Sequence, residues 1–271
     1  MKLLAEISFR GLYYFLTQPN YRRFIDLVFR YGDRRRHQSL MVNLHGYRWQ
    51  APDAASMIWQ YKEIFADKSY SFNASRAAPV IVDCGSNIGL SCLHYFLEYP
   101  QAKIYAFEPD PEIFKVLSKN VAQLPNHQIS LHQAAAWKEE TTLTFYQNDV
   151  DGGSLTTAGT TKQVTVKAID LAAFLEELDQ IDFLKIDVEG AESVLLPHIK
   201  AHLRKVNNLF VEYHSYPNQS QDLGKILSML EESGFRYYLM TQNRRPMPLV
   251  QKQTDRRMDY QTNIYAYKMA M

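Results

Sequence analysis

Cysteine is scarce in this chain of 271 residues, in which only Cys84 and Cys92 occur. A bond between them would join a strand to the helix that directly follows it, so a fold held together by disulfides is excluded. Free thiols are typical of proteins in a reducing compartment. We therefore predict two free cysteines and a cytoplasmic location.

Long apolar runs are also missing. The opening MKLLAEISFRGLYYFLTQ begins like a signal peptide, but Glu6 and Arg10 interrupt it before it reaches the length of a signal sequence or a membrane span. We predict no integral membrane segment and an amphipathic helix instead, continued by residues 21–32. Its aromatic face predicts packing against the body of the protein or a second copy, which would give a homodimer; contact with a membrane surface is the alternative.

A strong charge of either sign is absent, since the formal net charge is +1. Nucleic acid is therefore not predicted as a partner. The charge is unevenly distributed, because residues 1–50 carry nine Lys or Arg against three acidic residues, a balance of +6 that leaves −5 for the remainder. Such a basic segment is usually a solvated face, and a docking surface for an acidic protein is the alternative.

The chain contains no internal repeat, low-complexity tract or linker rich in proline and glycine. Strand and helix patterns alternate along it, which predicts an α/β fold with a doubly wound sheet. We expect a helical and hairpin N-terminal extension over residues 1–56 and one larger domain over residues 57–271. Residues 129–136 read as a single strand, and residues 142–147 and 162–169 as a paired ribbon around the glycine-rich residues 148–155.

The stretch VIVDCGSNIG, residues 80–89, is the most informative motif. A buried strand ends in Asp83 and continues into Gly85 and Gly89, which allow the backbone to approach a ligand at the start of the next helix. Glu108 ends the following strand roughly 20 residues later, where a carboxylate can accept the hydroxyl hydrogens of a ribose. The dinucleotide fingerprint G-x-G-x-x-G is not matched, which disfavours a nicotinamide enzyme.

Several longer stretches resemble the FkbM family of S-adenosylmethionine-dependent methyltransferases, over about residues 57–241. They include KIYAFEPDPEIFKVLSKNV, IDFLKIDVEGAESVLL and LFVEYH, together with the glycine motif, in which Ser86 stands where the family usually has alanine. The resemblance implies a Rossmann-like class I methyltransferase fold with a seven-stranded, mostly parallel sheet whose last strand is antiparallel. It also implies S-adenosylmethionine as the cofactor.

The resemblance further implies a set of cofactor-binding residues. It places Asp83, Gly85, Asn87 and Gly89 around the methionine part of the cofactor, Glu108 on the ribose, and Ala135 with Trp137 near the adenine. An acidic pocket also suits the cationic sulfonium. The predicted set is Asp83, Gly85, Ser86, Asn87, Gly89, Glu108, Pro109, Ala135, Trp137 and Asp187.

Four residues are predicted to act on the methyl acceptor: Asp187, Glu189, Glu212 and His214. Side chains alternate along a strand, so an extended LKIDVEG would place the two acids on one face with Lys185, and VEYH would do the same for Glu212 and His214. The alternatives are structural: Lys185 could be an ion-pair partner of these acids, Glu189 could favour a helix N-terminus, and His214 could cap a strand. No metal is predicted, although the same four residues could hold a hard divalent ion.

The resemblance implies methyl transfer to a hydroxyl of a small molecule, glycan or lipid, with a carboxylate or histidine taking the proton. Two alternatives remain open. One is a protein or peptide side-chain N-methyltransferase, and the other is a non-catalytic cofactor-binding partner. The acceptor is expected beside the two irregular stretches, residues 148–155 and 243–261.

Overall fold

The computed structural model describes residues 11–125, 127–148, 152–154, 162–217, 219–241, 247–250, 258 and 260–269. The strands are β1 (Leu40–Leu44), β2 (Tyr47–Ala51), β3 (Val80–Cys84), β4 (Lys103–Phe107), β5 (Ile129–His132), β6 (Ala135–Trp137), β7 (Thr141–Asn148), β8 (Gly152–Ser154), β9 (Lys162–Asp170), β10 (Ile181–Ile186), β11 (Val206–Ser215), β12 (Arg236–Thr241) and β13 (Tyr260–Tyr267). The helices are α1 (Pro19–Tyr31), α2 (Ala54–Tyr61), α3 (Leu90–Glu98), α4 (Pro111–Val121), α5 (Leu171–Glu176), α6 (Glu192–His198) and α7 (Leu223–Glu232). A π-helical turn, Lys62–Ala66, follows α2, and a 3₁₀ turn, Lys200–Lys205, follows α6.

The main sheet of the described residues has seven strands in the order β12-β13-β11-β10-β3-β4-β5. Strands β3, β4, β5, β10 and β11 pair in parallel, and β13 runs antiparallel to both of its neighbours. Every residue of the central strand β10 is buried, as expected for a parallel strand covered on both faces. The predicted α/β fold, with seven strands and an antiparallel last strand, is confirmed.

The prediction of one strand over residues 129–136 is wrong. Strand β5 ends at His132, because the carbonyl of His132 accepts hydrogen bonds from the backbone N–H of Ala134 (3.0 Å) and of Glu108 (3.1 Å) and the chain turns there. Residues 135–137 then form β6 in a separate four-stranded sheet, ordered β6-β9-β7-β8. The predicted ribbon is confirmed as the antiparallel pair of β7 and β9, whereas residues 149–151 and 155–161 lie outside the described residues.

The predicted hairpin before the sheet is confirmed. Strands β1 and β2 pair through His45 and Gly46, whose φ angles of +50° and +91° are those of a type I′ turn. Asp53 caps the N-terminus of helix α2, because its carboxylate accepts a hydrogen bond from the backbone N–H of Ser56 at 2.9 Å. The hairpin and helix lead the chain into the π-helical turn beside the main sheet.

Residues before 57 share their core with the main sheet. Phe24 and Leu27 of α1 and Trp49 of β2 belong to the same buried cluster as Ile81 of β3 and Phe210 of β11. The side chain of Asn120, buried in α4, ties this region together. Its amide donates to the carbonyls of Gln50 and Ile88, both at 2.9 Å, and its carbonyl accepts from the N–H of Gln50 at 2.8 Å.

Residues 11–17 are helical and lead into α1, as predicted, while residues 1–10 lie outside the described part. Tyr13, Leu16 and Phe29 are exposed on this face. The homodimer expected from it stays a prediction. Within the described ranges, no helix has both the length and the apolar composition that crossing a membrane requires. Cys84 and Cys92 are buried and not joined to each other, so the predicted free thiols are confirmed.

Candidate active site

The glycine turn, Gly85 to Gly89, follows β3 and lies between the carboxyl ends of β4 and β10. The backbone N–H groups of Gly85 and Ser86 donate to the carbonyl of Phe107 at 3.0 and 2.9 Å. Gly85 and Gly89 have φ angles of +92° and +86°, which favour glycine. A Cβ atom on Gly85 would lie 2.0 Å from the backbone oxygen of Asp187. The turn therefore requires glycine both for its conformation and for its packing.

Glu108 lies directly against this turn at the end of β4. Its carboxylate accepts hydrogen bonds from the backbone N–H of Asn87 at 3.0 Å and of Asp110 at 2.9 Å. Burial raises the pKa of Glu108 to about 8, although these two N–H groups favour the charged form. The sequence predicted an acid at this strand end, and the structure adds that it meets the glycine turn.

Asp83 is held behind the turn by a buried ion pair. Its Oδ2 accepts from the Ser91 hydroxyl at 2.5 Å, and its Oδ1 lies 3.5 Å from Nζ of Lys185. The same Nζ donates to the carbonyl of Gly85 at 2.8 Å and to Oδ2 of Asp187 at 3.2 Å. Burial lowers the pKa of Lys185, but Asp187 and Asp83 raise it more strongly, to above its ordinary value. The ion-pair alternative for Lys185 is thus confirmed, and Asp187, 22% exposed, is the more accessible of the two acids.

All four predicted acceptor-side residues come together at the carboxyl ends of β10 and β11. Nε2 of His214 lies 3.8 Å from Oε2 of Glu189 and 3.8 Å from Oε1 of Glu212. Asp187, Glu189 and His214 each offer one ligand atom, and these atoms lie within 4.8 Å of one another. We call Asp187, Glu189, Glu212 and His214 the acidic cluster.

The route by which Glu189 reaches the acidic cluster differs from the sequence prediction. Strand β10 ends at Ile186, and Glu189 has a φ of +53°, so the chain is not extended there. Gly190 follows with a φ of +98°. The turn is closed by Glu192, whose Oε1 accepts from the backbone N–H of Val188 at 3.3 Å and of Gly190 at 3.1 Å.

His214 is fixed from behind by the same carboxylate. Its Nδ1 lies 3.1 Å from Oε1 of Glu192, and both side chains are almost completely buried. Burial lowers the pKa of His214, but the carboxylates of Glu192 and Glu189 raise it well above its ordinary value. His214 therefore belongs to a buried network and does not merely cap the end of a strand.

The sequence prediction missed Glu63, which the π-helical turn brings to this site. Its Oε1 accepts from the side-chain amide of Asn263 on β13 at 2.9 Å. Burial raises the pKa of Glu63, and the negative charge of Asp187 raises it further. π-Helical turns are frequent at functional sites. The stretch EIFADKSYSF resembles the family, but nothing in its spacing predicts that Glu63 faces strands more than 100 residues away.

Glu212 adds a further buried acid. Its carboxylate accepts a hydrogen bond from the side-chain amide of Gln261 on the neighbouring strand β13. Burial raises the pKa of Glu212, and the nearby charge of Asp187 raises it further. The acidic cluster thus concentrates carboxylates that stabilise positive charge and can take up protons.

Ala135 and Trp137 lie on β6, immediately after the turn at His132. Ala135 is buried opposite Ala168, and Trp137 is half-buried opposite Asp170. The backbone connects this strand to the cofactor side, because the His132 carbonyl accepts from the N–H of Glu108. Their role near the adenine stays a prediction.

Comparison with known proteins gives consistent matches. Residues 83–237, more than half of the chain, match the family model described as methyltransferase FkbM domain. Methyltransferase sdnD of Sordaria araneosa is 32% identical, over 65% of this chain and 80% of that protein. The 31-O-demethyl-FK506 methyltransferase FkbM of Streptomyces tacrolimicus is 26% identical, over 65% of this chain and 80% of that protein. Hexuronic acid methyltransferase AglP of Haloferax volcanii is 29% identical, over 55% of this chain and 61% of that protein.

Proposed function

We propose, from the premise that this chain belongs to the FkbM methyltransferase family, that it transfers a methyl group to a hydroxyl group of a small molecule, glycan or lipid. Family membership makes the chain an S-adenosylmethionine-dependent methyltransferase. The alternative of a non-catalytic binding partner is therefore dropped. What remains to be proposed is the acceptor and the residues that serve it.

The residues around the glycine turn fit S-adenosylmethionine. The cofactor carries a cationic sulfonium and a ribose with two hydroxyl groups, and the turn combines accessible backbone with carboxylates. Glu108 would accept the ribose hydroxyl hydrogens, and Asp187 would face the positive charge. Gly85 leaves no room for a side chain between the turn and β10. No phosphate-binding lysine lies in residues 80–89, which agrees with a cationic rather than an anionic ligand.

S-adenosylmethionine supplies an electrophilic methyl group to an acceptor atom that lies in line with it. The protein's task is to hold the acceptor there and to remove its proton. We assign the role of proton acceptor to Glu212, whose carboxylate lies 3.8 Å from Nε2 of His214 near the end of β11. Glu212 would take the hydroxyl proton as the acceptor oxygen gains the methyl group and the sulfur–methyl bond breaks, leaving S-adenosylhomocysteine.

Methylation of oxygen is supported by two observations. One relative is named as a 31-O-demethyl-FK506 methyltransferase and another as a hexuronic acid methyltransferase, so their names indicate acceptors with oxygen atoms. The acidic cluster, the observation that carries the proposal, offers several carboxylates as proton acceptors. A hydroxyl needs only one such base, whereas an amide nitrogen is less acidic and needs polarisation by several groups.

Labelled S-adenosylmethionine tests this proposal. A cell extract is incubated with the protein and the labelled cofactor, with the Glu212→Gln variant, expected to be about 100-fold slower, as the matched control. We expect label in the small-molecule, glycan or lipid fraction as methyl ethers that survive mild base. Label in precipitated protein would replace this proposal with side-chain N-methylation, and a protein that binds no S-adenosylmethionine would overturn it.

Cofactor binding should depend on pH through Glu108. Its pKa of about 8 means that the carboxyl is largely protonated in the free protein at pH 7. Ribose hydroxyls donate to the charged form, so binding must release a proton below pH 8. Affinity should therefore rise with pH and be about tenfold weaker at pH 7 than at pH 9. Calorimetry in buffers with different protonation enthalpies measures both the affinity and the released proton.

Two variants separate Glu108 from other acids in this prediction. Glu108→Gln should bind more weakly at every pH and lose the dependence on pH between 7 and 9. Glu112→Gln removes an exposed acid paired with Lys115 and should leave the profile unchanged. An affinity of the wild-type protein that stays constant between pH 7 and 9 would contradict the assignment of the ribose to Glu108.

A further inference from the structure

We propose that Asp187, Glu189 and His214 bind one divalent metal ion on the acceptor side of the active site. The three residues come from the end of β10, from the turn after it and from β11. A use of this ion in holding the acceptor rests on the proposed function. Binding of the ion does not, because it follows from the arrangement of the residues alone.

The distances are compatible with one ion. One ligand atom from each residue lies within 4.8 Å of the other two. Ligands that are about 2.0–2.2 Å from a metal lie about 3–4 Å from one another, so small side-chain rotations would complete the site. The left-handed backbone at Glu189, with a φ of +53°, returns its carboxylate to 3.8 Å from His214. Such strained residues cluster at functional sites, and a metal-binding role would explain why Glu189 adopts this conformation.

His214 provides a second, independent observation. Its side chain is 2% exposed, and its Nδ1 is engaged by Glu192 at 3.1 Å. Its Nε2 faces the acidic cluster, where the nearest carboxylate oxygens are 3.8 Å away, too far for hydrogen bonds. Its interactions with these residues are two longer ion pairs, to Glu189 and to Glu212. A histidine oriented by a carboxylate through one ring nitrogen, with the other directed at acidic residues, is the usual arrangement of a metal-ligating histidine.

The charge of the surroundings favours a cation with more than one positive charge. Five carboxylates interact at this end of the sheet, and the basic groups among them are Lys185 and His214. The acids are Glu63, Asp187, Glu189, Glu192 and Glu212. A cationic methyl donor would offset one negative charge. A divalent ion, bound as the imidazole of His214 releases its Nε2 proton, would offset part of the excess that remains.

The ligand set indicates which ions to test. Carboxylates and water suit Mg²⁺ and Mn²⁺, whereas imidazole suits first-row transition metals. Mn²⁺ satisfies both preferences and is directly observable by its electron paramagnetic resonance. With three protein ligands the ion would keep open positions, at which the oxygen atoms of an acceptor could bind.

Mn²⁺ binding to the full chain tests the inference. The protein is treated with a chelator, dialysed and titrated with Mn²⁺, and the signal of the free ion is followed. We expect one Mn²⁺ per chain with micromolar affinity. Glu189→Gln should weaken binding at least about tenfold. This residue is chosen because its side chain is 38% exposed, so the variant should fold. Glu176→Gln removes an exposed acid beside His202 and Lys205 and should leave Mn²⁺ binding unchanged.

Calorimetry with S-adenosylmethionine on the same samples separates two kinds of failure. A wild-type protein that binds S-adenosylmethionine but not Mn²⁺ would overturn the metal site and leave the proposed function intact. Equal Mn²⁺ binding by the wild type and Glu189→Gln would also overturn it, because the ion would then be bound elsewhere. Loss of S-adenosylmethionine binding with Mn²⁺ binding retained would instead count against the proposed function.

Discussion

Gly85→Ala should abolish detectable binding of S-adenosylmethionine and destabilise the fold. The new methyl group would lie 2.0 Å from the backbone oxygen of Asp187, and alanine would have to adopt a φ of +92°. The left-handed conformation costs about 1–2 kcal/mol and the overpacking about 1–3 kcal/mol or more. Because the obstructing atom belongs to the backbone of the strand end, the turn and the end of β10 must move apart. Calorimetry and chemical denaturation measure the two effects.

Gly46→Ala is the matched control for this variant. Gly46 has nearly the same φ, +91°, but nothing lies within 4 Å of the position of its Cβ atom. It should therefore lose only about 1–2 kcal/mol of stability and keep its affinity for the cofactor. If Gly85→Ala bound S-adenosylmethionine as well as Gly46→Ala does, the glycine turn would not be the cofactor site.

Lys185→Met should remove about 3–5 kcal/mol of stability, because it leaves the charges of two carboxylates without their buried partner. The ammonium lies 3.5 Å from Asp83 and 3.2 Å from Asp187, and it also binds the carbonyl of Gly85. Methionine fills a similar volume, so the loss would report the charge rather than a cavity. Denaturant unfolding followed by fluorescence measures the change.

A double variant tests this explanation. Asp83→Asn combined with Lys185→Met removes both members of one ion pair and should recover part of the stability that Lys185→Met loses. Lys103→Met replaces an exposed lysine at the start of β4 and should change stability by less than about 0.5 kcal/mol. If the double variant lost as much stability as the two single variants added together, or more, Lys185 would not stabilise the fold through Asp83.

Much of the fold could be predicted because local patterns of residue types in the sequence determine its strands and turns. The strand ending in Asp83 and the hairpin at His45 and Gly46 follow from residue types at short spacing, whereas the antiparallel last strand was implied by the resemblance to the FkbM family. The break at His132 could not be predicted, since residues 129–136 are apolar or neutral enough for one strand. The break is marked by the backbone N–H of Ala134, which donates to the carbonyl of His132 two residues earlier, and no residue type in this stretch signals that turn.

The site was predictable to the extent that parallel strands end at a common edge. Asp187 and His214 could be expected near each other because β10 and β11 are neighbours. The position of Glu63 could not, because it depends on a π-helical turn and on Asn263, 200 residues further along the chain. The interaction of His214 with Glu192 could likewise not be predicted, since it requires the turn that Glu189 and Gly190 form.

The amide of Asn120 has a consequence for how the protein unfolds. It joins the backbone of the hairpin to the start of α3, and the hydrophobic side chains on either side interpenetrate. Heating should therefore produce a single cooperative transition rather than an early loss of the first 56 residues. A shortened chain beginning near residue 57 would expose to water the apolar side chains that residues before 57 cover, so we expect that it would not fold as a separate catalytic domain.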